Sequence, residues 1–486
     1  QWFLNGAAIP GEVSATYTAS LNGEYYVEIT GQGGCPIESE PIFLLDGSTL
    51  ESGSLVLIDL YNNTDGANWV NNGNWLTGDV NTWDGISVNG GRVTQIFLSG
   101  NNMNGNYPQS IGALSELEFF VVDNNSLTGS IPATFWDLNN LIQINLHDNE
   151  DLNWTIEAGI GTMTSLQVIR AFSTNLQGEL PSDIGDAISL QELWLSDTQL
   201  SGSIPDAIGN ATSLNFIELS DTQISGSLPS SIENLSSLET LYISNSQLSG
   251  EVPNQLANAS ALVNLNIRNN QLSGTLPDAL WQLPNLEVLQ VDYNSDLAVN
   301  LPANLSSLTQ LTVLGISGVV PIGGPFPSEF YDLTNLTVLD AGGHSFTGTI
   351  DPAINNLTQL QGLWLFSNDL TGDFPDISSL TNLQAGSIAG NEFTFFPDVS
   401  GLSALGYFEL TFNQLGFNSI IPNLGIPQLI YNPQFRRATI YDEVDPGGSL
   451  GLINPYTTAG NQHQWIRNVN DSIATTLDYS ISDAST

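Results

Sequence analysis

The chain has 486 residues, and its 50 acidic residues outnumber 6 basic ones, giving a formal net charge of −44 at pH 7. A surface of this sign repels nucleic-acid phosphates and anionic membranes, which argues against nucleic acid and membrane as partners. The single cysteine, Cys35, excludes an intrachain disulfide, and no run of 18 apolar residues predicts insertion into a membrane.

Residues 1–46 contain short strand-like runs separated by turn residues. The run Trp2–Leu4 precedes a turn at Asn5-Gly6, and a second strand-like run begins at Gly23. The order Gly23-x-Tyr-x-Val-x-Ile29 resembles the GxYxVxV strand of immunoglobulin-like modules in large bacterial surface proteins. This resemblance implies a partial immunoglobulin-like module, a β-sandwich whose opening strands would lie upstream.

Residues 53–92 form a different unit, marked by Trp69, Trp75 and Trp83. The stretch from Asn81 to Val88 resembles the amino-terminal cap of plant-type leucine-rich repeat proteins, in which cysteines occupy these two positions. The resemblance implies a cap without its disulfide, held together by the packing of its tryptophans. A solenoid needs such a cover because its first core layer is otherwise exposed to water.

A repeat of 24 residues dominates residues 93–427. Pro205, Pro229, Pro253 and Pro277 follow one another at intervals of 24 residues. A fixed period of this length predicts a solenoid, and counterparts of these prolines at steps of 24 or 25 predict about fourteen repeats. Each repeat alone buries too little apolar surface to offset its loss of backbone entropy, so only stacked repeats are expected to fold.

Within one repeat, Leu193 and Leu195 have the alternate spacing of a short strand with one buried face, and Gly202 suits a tight bend. The ending Leu-x-Gly-x-Ile-Pro resembles the plant-specific class of leucine-rich repeats. That resemblance implies a solenoid with a strand and a short 3-10 or loop segment in each repeat, a second short strand, and a twisted superhelix.

Residues 428–486 change character again, with Gln464-Trp-Ile-Arg467 as a strand-like run. The segment resembles the opening half of another immunoglobulin-like module, in which Trp465 would correspond to Trp2 of the first. The order of parts resembles exported surface proteins of Bacteroidota-like marine bacteria. It implies a secreted or cell-surface, extracellular location.

The sequence contains none of the motifs that would indicate an enzyme. His147, His344 and His463 are too far apart in stacking order to meet, with His147 expected on the outer side of the sheet and His344 at an asparagine-ladder position. There is no Gly-x-Ser-x-Gly, phosphate-binding or His-Glu-x-x-His motif. A glycosidase would need two carboxylates about 5–10 Å apart, and the sequence singles out no such pair.

No organic cofactor is predicted, but the many carboxylates allow structural calcium sites, since Ca²⁺ takes oxygen ligands. Two groups of acidic residues are candidates: Asp59, Asp65 and Asp84 in the cap, and Asp442, Glu443 and Asp445 near the end. Neither group has the ordered spacing of a calcium loop. A solvated acidic surface is the favoured explanation of both.

The strongest functional signal lies in the strand positions that flank the buried leucines, which are expected to form the concave face. Exposed aromatic residues gather at binding surfaces, although here they could instead pack side by side and stabilise the sheet. The predicted ligand-binding residues are Phe97, Phe119, Arg170, Phe172, Trp194, Phe216, Tyr242, Arg268, Trp364, Phe366 and Tyr407.

These patterns predict a non-enzymatic extracellular protein for adhesion and recognition, which binds a glycan (polysaccharide) or a protein ligand on the concave face. The alternative is a structural segment of an extracellular stalk or filament, with the solenoid as a rigid spacer and self-association through the terminal modules. A filament would assemble in solution, whereas an adhesin would stay monomeric.

Overall fold

The computed structural model describes residues 1–4, 6–17, 23–30, 36–39, 42–44, 50–302, 305–434, 464–467 and 479–482. The chain divides into two compact units, Gln1–Pro433 and Gln434–Thr486. In the second unit, Gln464–Arg467 pairs antiparallel with Tyr479–Ser482, with Trp465 opposite Ile481. The rest of the module predicted over 428–486 lies outside the described residues, as do Asp442, Glu443, Asp445 and His463.

The amino-terminal segment forms one antiparallel sheet. Its central strand pairs with three others, and the ring of Phe3 stacks on that of Tyr26 at 4.8 Å between centroids. A single sheet is seen in the described part of residues 1–46, so the immunoglobulin-like assignment stays a prediction. The strands are Trp2–Leu4, Ala7–Ala8, Gly23–Thr30, Pro36–Glu38 and Ile42–Leu44.

The cap consists of the α-helix Leu50–Asn63 and a cluster of aromatic rings. Trp75 lies at its centre, with ring centroids 4.8 Å from Trp69 and 4.9 Å from Trp83. All three indole N–H groups donate to backbone carbonyls, which satisfies the polar atom of each buried ring. Ring packing therefore holds the cap, as the sequence predicts.

A sixteen-stranded sheet runs through the repeats. The first strand of this sheet is antiparallel to the second, and the others pair in parallel in chain order. The sheet extends to a strand that begins at Gln428, one residue past the expected end of the solenoid. The strands are Ile86–Asn89, Arg92–Phe97, Phe119–Val121, Gln143–Asn145, Val168–Arg170, Glu192–Trp194, Phe216–Glu218, Thr240–Tyr242, Asn264–Asn266, Val288–Gln290, Val313–Gly315, Val338–Asp340, Gly362–Trp364, Ala385–Ser387, Tyr407–Glu409 and Gln428–Ile430.

A second set of short strands follows the main sheet, as the plant-type resemblance implies. Gly202, the middle residue of one of them, has a φ of 75°, a left-handed conformation that favours glycine. These strands are Asn104–Asn106, Ser126–Thr128, Asn149–Thr155, Thr174–Gln177, Ser201–Ser203, Gln223–Gly226, Gln247–Glu251, Gln271–Thr275, Asp296–Ala298, Thr347–Gly348, Asp369–Asp373 and Glu392–Phe395.

Short 3-10 helices close most repeats on the far side from the main sheet. A typical one begins after Pro205, whose φ of −67° and lack of an N–H suit the position before a helix. Apart from the α-helices Leu50–Asn63 and Phe417–Ile420, the helices of the repeats and cap are Gly66–Asn68, Val80–Thr82, Gln109–Ala113, Ala133–Asp137, Ile160–Thr162, Ser182–Asp186, Asp206–Asn210, Ser230–Asn234, Asn254–Asn258, Asp278–Gln282, Leu305–Ser307, Ser328–Asp332, Pro352–Asn356 and Ile421–Asn423.

One continuous apolar core fills the space between these layers. Leu193 and Leu195 are fully buried in it, and the same positions are apolar and buried in the neighbouring repeats. Beside this core runs a ladder of buried polar side chains. Asn149, for example, is fully buried and donates to the carbonyls of Val122 and Leu146, and so satisfies backbone groups of two successive repeats.

His344 occupies one position of this ladder, as the sequence predicts. Its backbone N–H donates to Asn368 Oδ1, but neither of its ring nitrogens makes a hydrogen bond of acceptable geometry within the described residues. Burial lowers the pKa of His344 to about 4. The histidine is therefore neutral at physiological pH and fully buried beside the apolar core.

Candidate ligand-binding face

The exposed side of the long parallel sheet, which we call the concave face, is organised in columns of side chains. In the strand Glu192–Trp194, Leu193 points into the core and the residues beside it are half-buried. Neighbouring strands pair in register, so Trp194 lies between Arg170 and Glu218. Eight of the predicted ligand-binding residues stand in the strands that form these columns, which repeat at about 4.8 Å from strand to strand, whereas Phe172, Arg268 and Phe366 lie two residues beyond the ends of their strands.

The most ordered group on this face is centred on Trp194. Its ring stacks on that of Phe216, with centroids 3.8 Å apart and planes at 19°. The Arg170 guanidinium lies 5.8 Å from the indole centroid. Glu192 Oε2 accepts hydrogen bonds from Trp194 Nε1 at 2.9 Å and from Arg170 Nη2 at 2.6 Å. Four side chains from three strands therefore hold one another in place.

Two further residues extend this group along the sheet. Tyr242 meets Phe216 edge-on, with ring centroids 6.3 Å apart. Burial raises the pKa of Glu218, which stands in register between Trp194 and Tyr242, and hydrogen bonds from Ser220 oppose that rise. The raised pKa shows that this carboxyl group, which lies among aromatic rings, is partly desolvated. Carboxyl groups with perturbed pKa values are often found where ligands bind.

The predicted aromatic residues near the cap form two smaller groups. Phe97 and Phe119 lie 5.9 Å apart, and Phe97 is 45% exposed. Phe172 stacks on His147 at 4.3 Å with an angle of 9°. His147 lies on the outer side of the sheet as expected, and it adds a ring that was not among the predicted ligand-binding residues.

Another aromatic group occupies the far end of the face. Trp364 and Tyr407 lie 6.0 Å apart, and the Tyr407 hydroxyl donates to Glu409 Oε2 at 3.4 Å. The ring of Phe366 lies over Gly342, where a Cβ atom would come within 2.7 Å of it. The aromatic residues on this face are thus divided into separate groups.

Arg268 stands between these groups, at a more polar part of the face. Its Nε lies 3.2 Å from Asp292 Oδ2, and its guanidinium lies 5.6 Å from the ring of Tyr293. The sequence analysis missed Tyr293, which is 43% exposed and has a left-handed φ of 56°. Such a φ is unusual for an aromatic residue. At the equivalent turn position most repeats have Asn, Asp or Ser, so the tyrosine at this position is the feature of the sequence that could have indicated an exposed ring.

The described residues contain no group of three His, Cys, Asp or Glu side chains that could hold a metal ion. In the cap, Asp59 accepts a hydrogen bond from Ser110, Asp65 from Asn68, and Asp84 from the backbone of Gly73. Their carboxylates therefore already have protein partners. Within the same part of the chain, no helix combines the length and the apolar character that a membrane crossing requires.

Comparison with known proteins places these features in a family context. Residues 190–320 match the family described as a leucine-rich repeat region. The chain is 37% identical over 73 residues to receptor-like kinase TMK4 of Arabidopsis thaliana, a stretch that covers 15% of this chain and 8% of that protein.

Two solved structures are similar over most of the repeats. A TDR receptor is 31% identical, with a TM-score of 0.60 over 66% of this chain and 55% of that one. The leucine-rich repeat ectodomain of the receptor kinase GASSHO1/SCHENGEN3 from Arabidopsis thaliana is 25% identical, with a TM-score of 0.58 over 78% of this chain and 55% of that one. This chain thus covers 55% of the length of each structure. The repeats, their long parallel sheet and these similarities identify the fold as a leucine-rich repeat solenoid, with the family match lying in residues 190–320.

Proposed function

We propose that the chain is the recognition part of an extracellular protein and that it binds an extended protein or peptide segment along the concave face. The observation that carries this proposal is the group around Trp194, in which a half-buried indole is fixed by a stacked ring, a cation and a carboxylate. Tryptophan and arginine are enriched at the energetic centres of protein interfaces.

The order of this group matters because binding is weakened by every side chain that must be immobilised, at about 0.5–1.5 kcal/mol each. Trp194 and Arg170 are already held by Glu192 before a ligand arrives. Half-exposed aromatic surface that is already fixed in position favours a binding role over a role in sheet packing alone. We therefore assign the anchor of the ligand to Trp194 and Phe216.

The class of ligand is suggested by the similar structures. The GASSHO1/SCHENGEN3 ectodomain was solved in complex with CASPARIAN STRIP INTEGRITY FACTOR 2. A protein ligand is thus compatible with this fold at 25% identity. On this ground we favour a protein or peptide ligand over a polysaccharide, and an extracellular location for the chain.

Selection from a display library of random 12-residue peptides, with a glycan array in parallel, tests the proposal. We expect the wild-type protein to enrich peptides and Trp194→Ala to capture them at least tenfold less well. Phe417→Ala is the matched control, because Phe417 is 46% exposed but lies outside the concave face. Capture of glycans alone, or of peptides equally well by Trp194→Ala, would overturn the assignment.

A further inference from the structure

Between Tyr242 and Trp364, the strands of the main sheet carry no aromatic side chain within the described residues, and Tyr293 lies in a turn beyond a strand. The column that contains Tyr242 and Trp364 continues through Asn266, Gln290, Gly315 and Asp340. Two amide side chains, a glycine and an aspartate therefore separate the two aromatic groups in this column. We call the region formed by Asp292, Gly315, Ser317 and Asp340 the acidic notch.

The carboxylate of Asp292 forms the floor of the acidic notch. Its side chain is only 1% exposed, and Oδ1 accepts no hydrogen bond of acceptable geometry within the described residues. A Cβ atom built on Gly315 would lie 2.5 Å from this Oδ1. The carboxylate thus lies across the backbone of Gly315, at a place that only glycine leaves open. A buried carboxylate oxygen without a donor is costly unless a partner binds there.

Asp340 forms the opposite wall, in register beside Gly315. The hydroxyl of Ser317 donates to Asp340 Oδ1. Burial raises the pKa of Asp340 to about 6, the hydrogen bond from Ser317 opposes the rise, and the charge of Asp292 adds to it. The two carboxylates therefore influence each other.

The positive charge next to this pair is insufficient to balance it. In the described part of the chain, the charged groups that act on Asp340 are Asp292 and Arg268, and Tyr293 stands beside them. Arg268 Nε is 3.2 Å from Asp292 Oδ2, which leaves Asp292 Oδ1 and Asp340 without a cation of their own. When both carboxyl groups are ionised, the notch thus has one negative charge in excess, and burial raises the pKa of Asp292 as it does that of Asp340, while the charge of Arg268 opposes the rise.

We propose that the acidic notch binds the ammonium or guanidinium group of a lysine or arginine side chain of the ligand. This inference rests on the proposed function, because the cation belongs to the same extended segment that Trp194 anchors. The incoming group donates to Asp292 Oδ1 and Asp340, with the side chain of Asp292 turning outward from Gly315 to meet it. A charge-assisted hydrogen bond of this kind is stronger than one between neutral groups.

The sheet register sets where the basic residue falls in the ligand. The strand that ends at Gly315 lies five strands from the strand that ends at Trp194, and the strand that ends at Trp364 lies seven strands from it. At about 4.8 Å per strand these steps correspond to roughly 24 and 34 Å. An extended peptide advances about 3.3 Å per residue, so the cation is expected about seven residues from the one that contacts Trp194.

The same peptide library tests this inference on the complete chain. We expect wild-type protein to enrich peptides with lysine or arginine about seven residues from an apolar anchor residue. Asp340→Asn should bind such peptides about tenfold less tightly, while Asp206→Asn, the same charge change on an outer 3-10 helix, should not alter affinity. Wild-type affinity should also rise between pH 5 and 7.5 as Asp340 ionises, and Asp340→Asn should flatten that rise.

A double-mutant cycle distinguishes specific binding of the basic residue in the notch from a general electrostatic attraction between a basic peptide and an acidic protein. Changing the basic residue of a selected peptide to glutamine should weaken binding to the wild type about tenfold and to Asp340→Asn much less. Equal losses with both proteins, or selected peptides without a basic residue, would overturn the notch and leave the Trp194 anchor intact. If the Trp194→Ala variant captured every selected peptide as well as the wild type does, both proposals would be overturned.

Discussion

Trp194 and Phe216 come from adjacent strands, and their rings stack at 3.8 Å although the two residues are not paired in register. Trp194 stands at the third position of its strand and Phe216 at the first position of the next. The indole therefore leans across the sheet toward its neighbour. This diagonal contact joins the two strands and also presents a broad aromatic surface to solvent.

The stack should contribute to stability as well as to binding. We predict that Trp194→Ala and Phe216→Ala each lower the free energy of unfolding, and that a double-mutant cycle gives a coupling of about 0.5–1.5 kcal/mol, as for other aromatic pairs. Urea unfolding of the four proteins measures this coupling. A coupling near zero would mean that the two rings act independently.

The period of the sequence determines most of the fold, because Leu193 and its counterparts can be buried only if the repeats stack. The same alternation places Trp194 and the other predicted residues on the exposed side of the sheet. His344 was also assigned correctly, since the ladder position recurs in every repeat. The repeat pattern thus carries both the core and the columns of the concave face.

Which side chains touch within those columns is not determined by the pattern. Asp292 is buried because Gly315, in the next repeat, has no side chain to exclude its carboxylate. Tyr293 is exposed because its turn adopts a left-handed φ that the strand alternation does not describe. These features depend on the sizes of neighbouring side chains in adjacent repeats and on local backbone geometry. A period of 24 residues describes only what the repeats share and therefore does not predict them.

His344 interrupts the polar ladder, and restoring asparagine there should stabilise the solenoid. At the next ladder position, Asn368 Nδ2 donates to the carbonyls of Ala341 and Leu365. His344→Asn offers equivalent donors and removes two buried ring nitrogens that make no hydrogen bond of acceptable geometry within the described residues. We predict a gain of about 1 kcal/mol in the free energy of unfolding at pH 7.5.

The effect of pH provides a second test at the same residue. The folded-state pKa of His344 is lowered to about 4 from 6.5, so the unfolded chain takes up the proton first as the pH falls. The stability that belongs to the neutral histidine is present above pH 6.5 and is lost toward pH 4. The advantage of His344→Asn should therefore grow between pH 7 and 4.5. A constant advantage across this range, in urea unfolding, would contradict the assignment.

Asp340 should give a pH dependence of opposite sign. Its folded-state pKa of about 6 lies above the ordinary value of 3.8, so the folded chain holds the proton more tightly than the unfolded one. Its contribution to stability is lost as the pH rises through 6. We predict that Asp340→Asn unfolds at a higher urea concentration than wild type at pH 7.5 and that this difference shrinks at pH 5. A difference that does not vary with pH would argue against a raised pKa.

The close stacking of the 3-10 helices can be tested at Gly185, where a Cβ atom would overlap the backbone carbonyl oxygen of Ala207 in the next repeat. A backbone atom cannot rotate away as the end of a side chain can, so Gly185→Ala must push two repeats apart. We expect a loss of about 1–3 kcal/mol in the free energy of unfolding, the range for overpacked cores. Gly401→Ala is the matched control, because its Cβ would meet no atom within 4 Å and its φ lies outside the left-handed region. Equal urea midpoints for the two variants would show that the repeats are packed less closely than this contact requires.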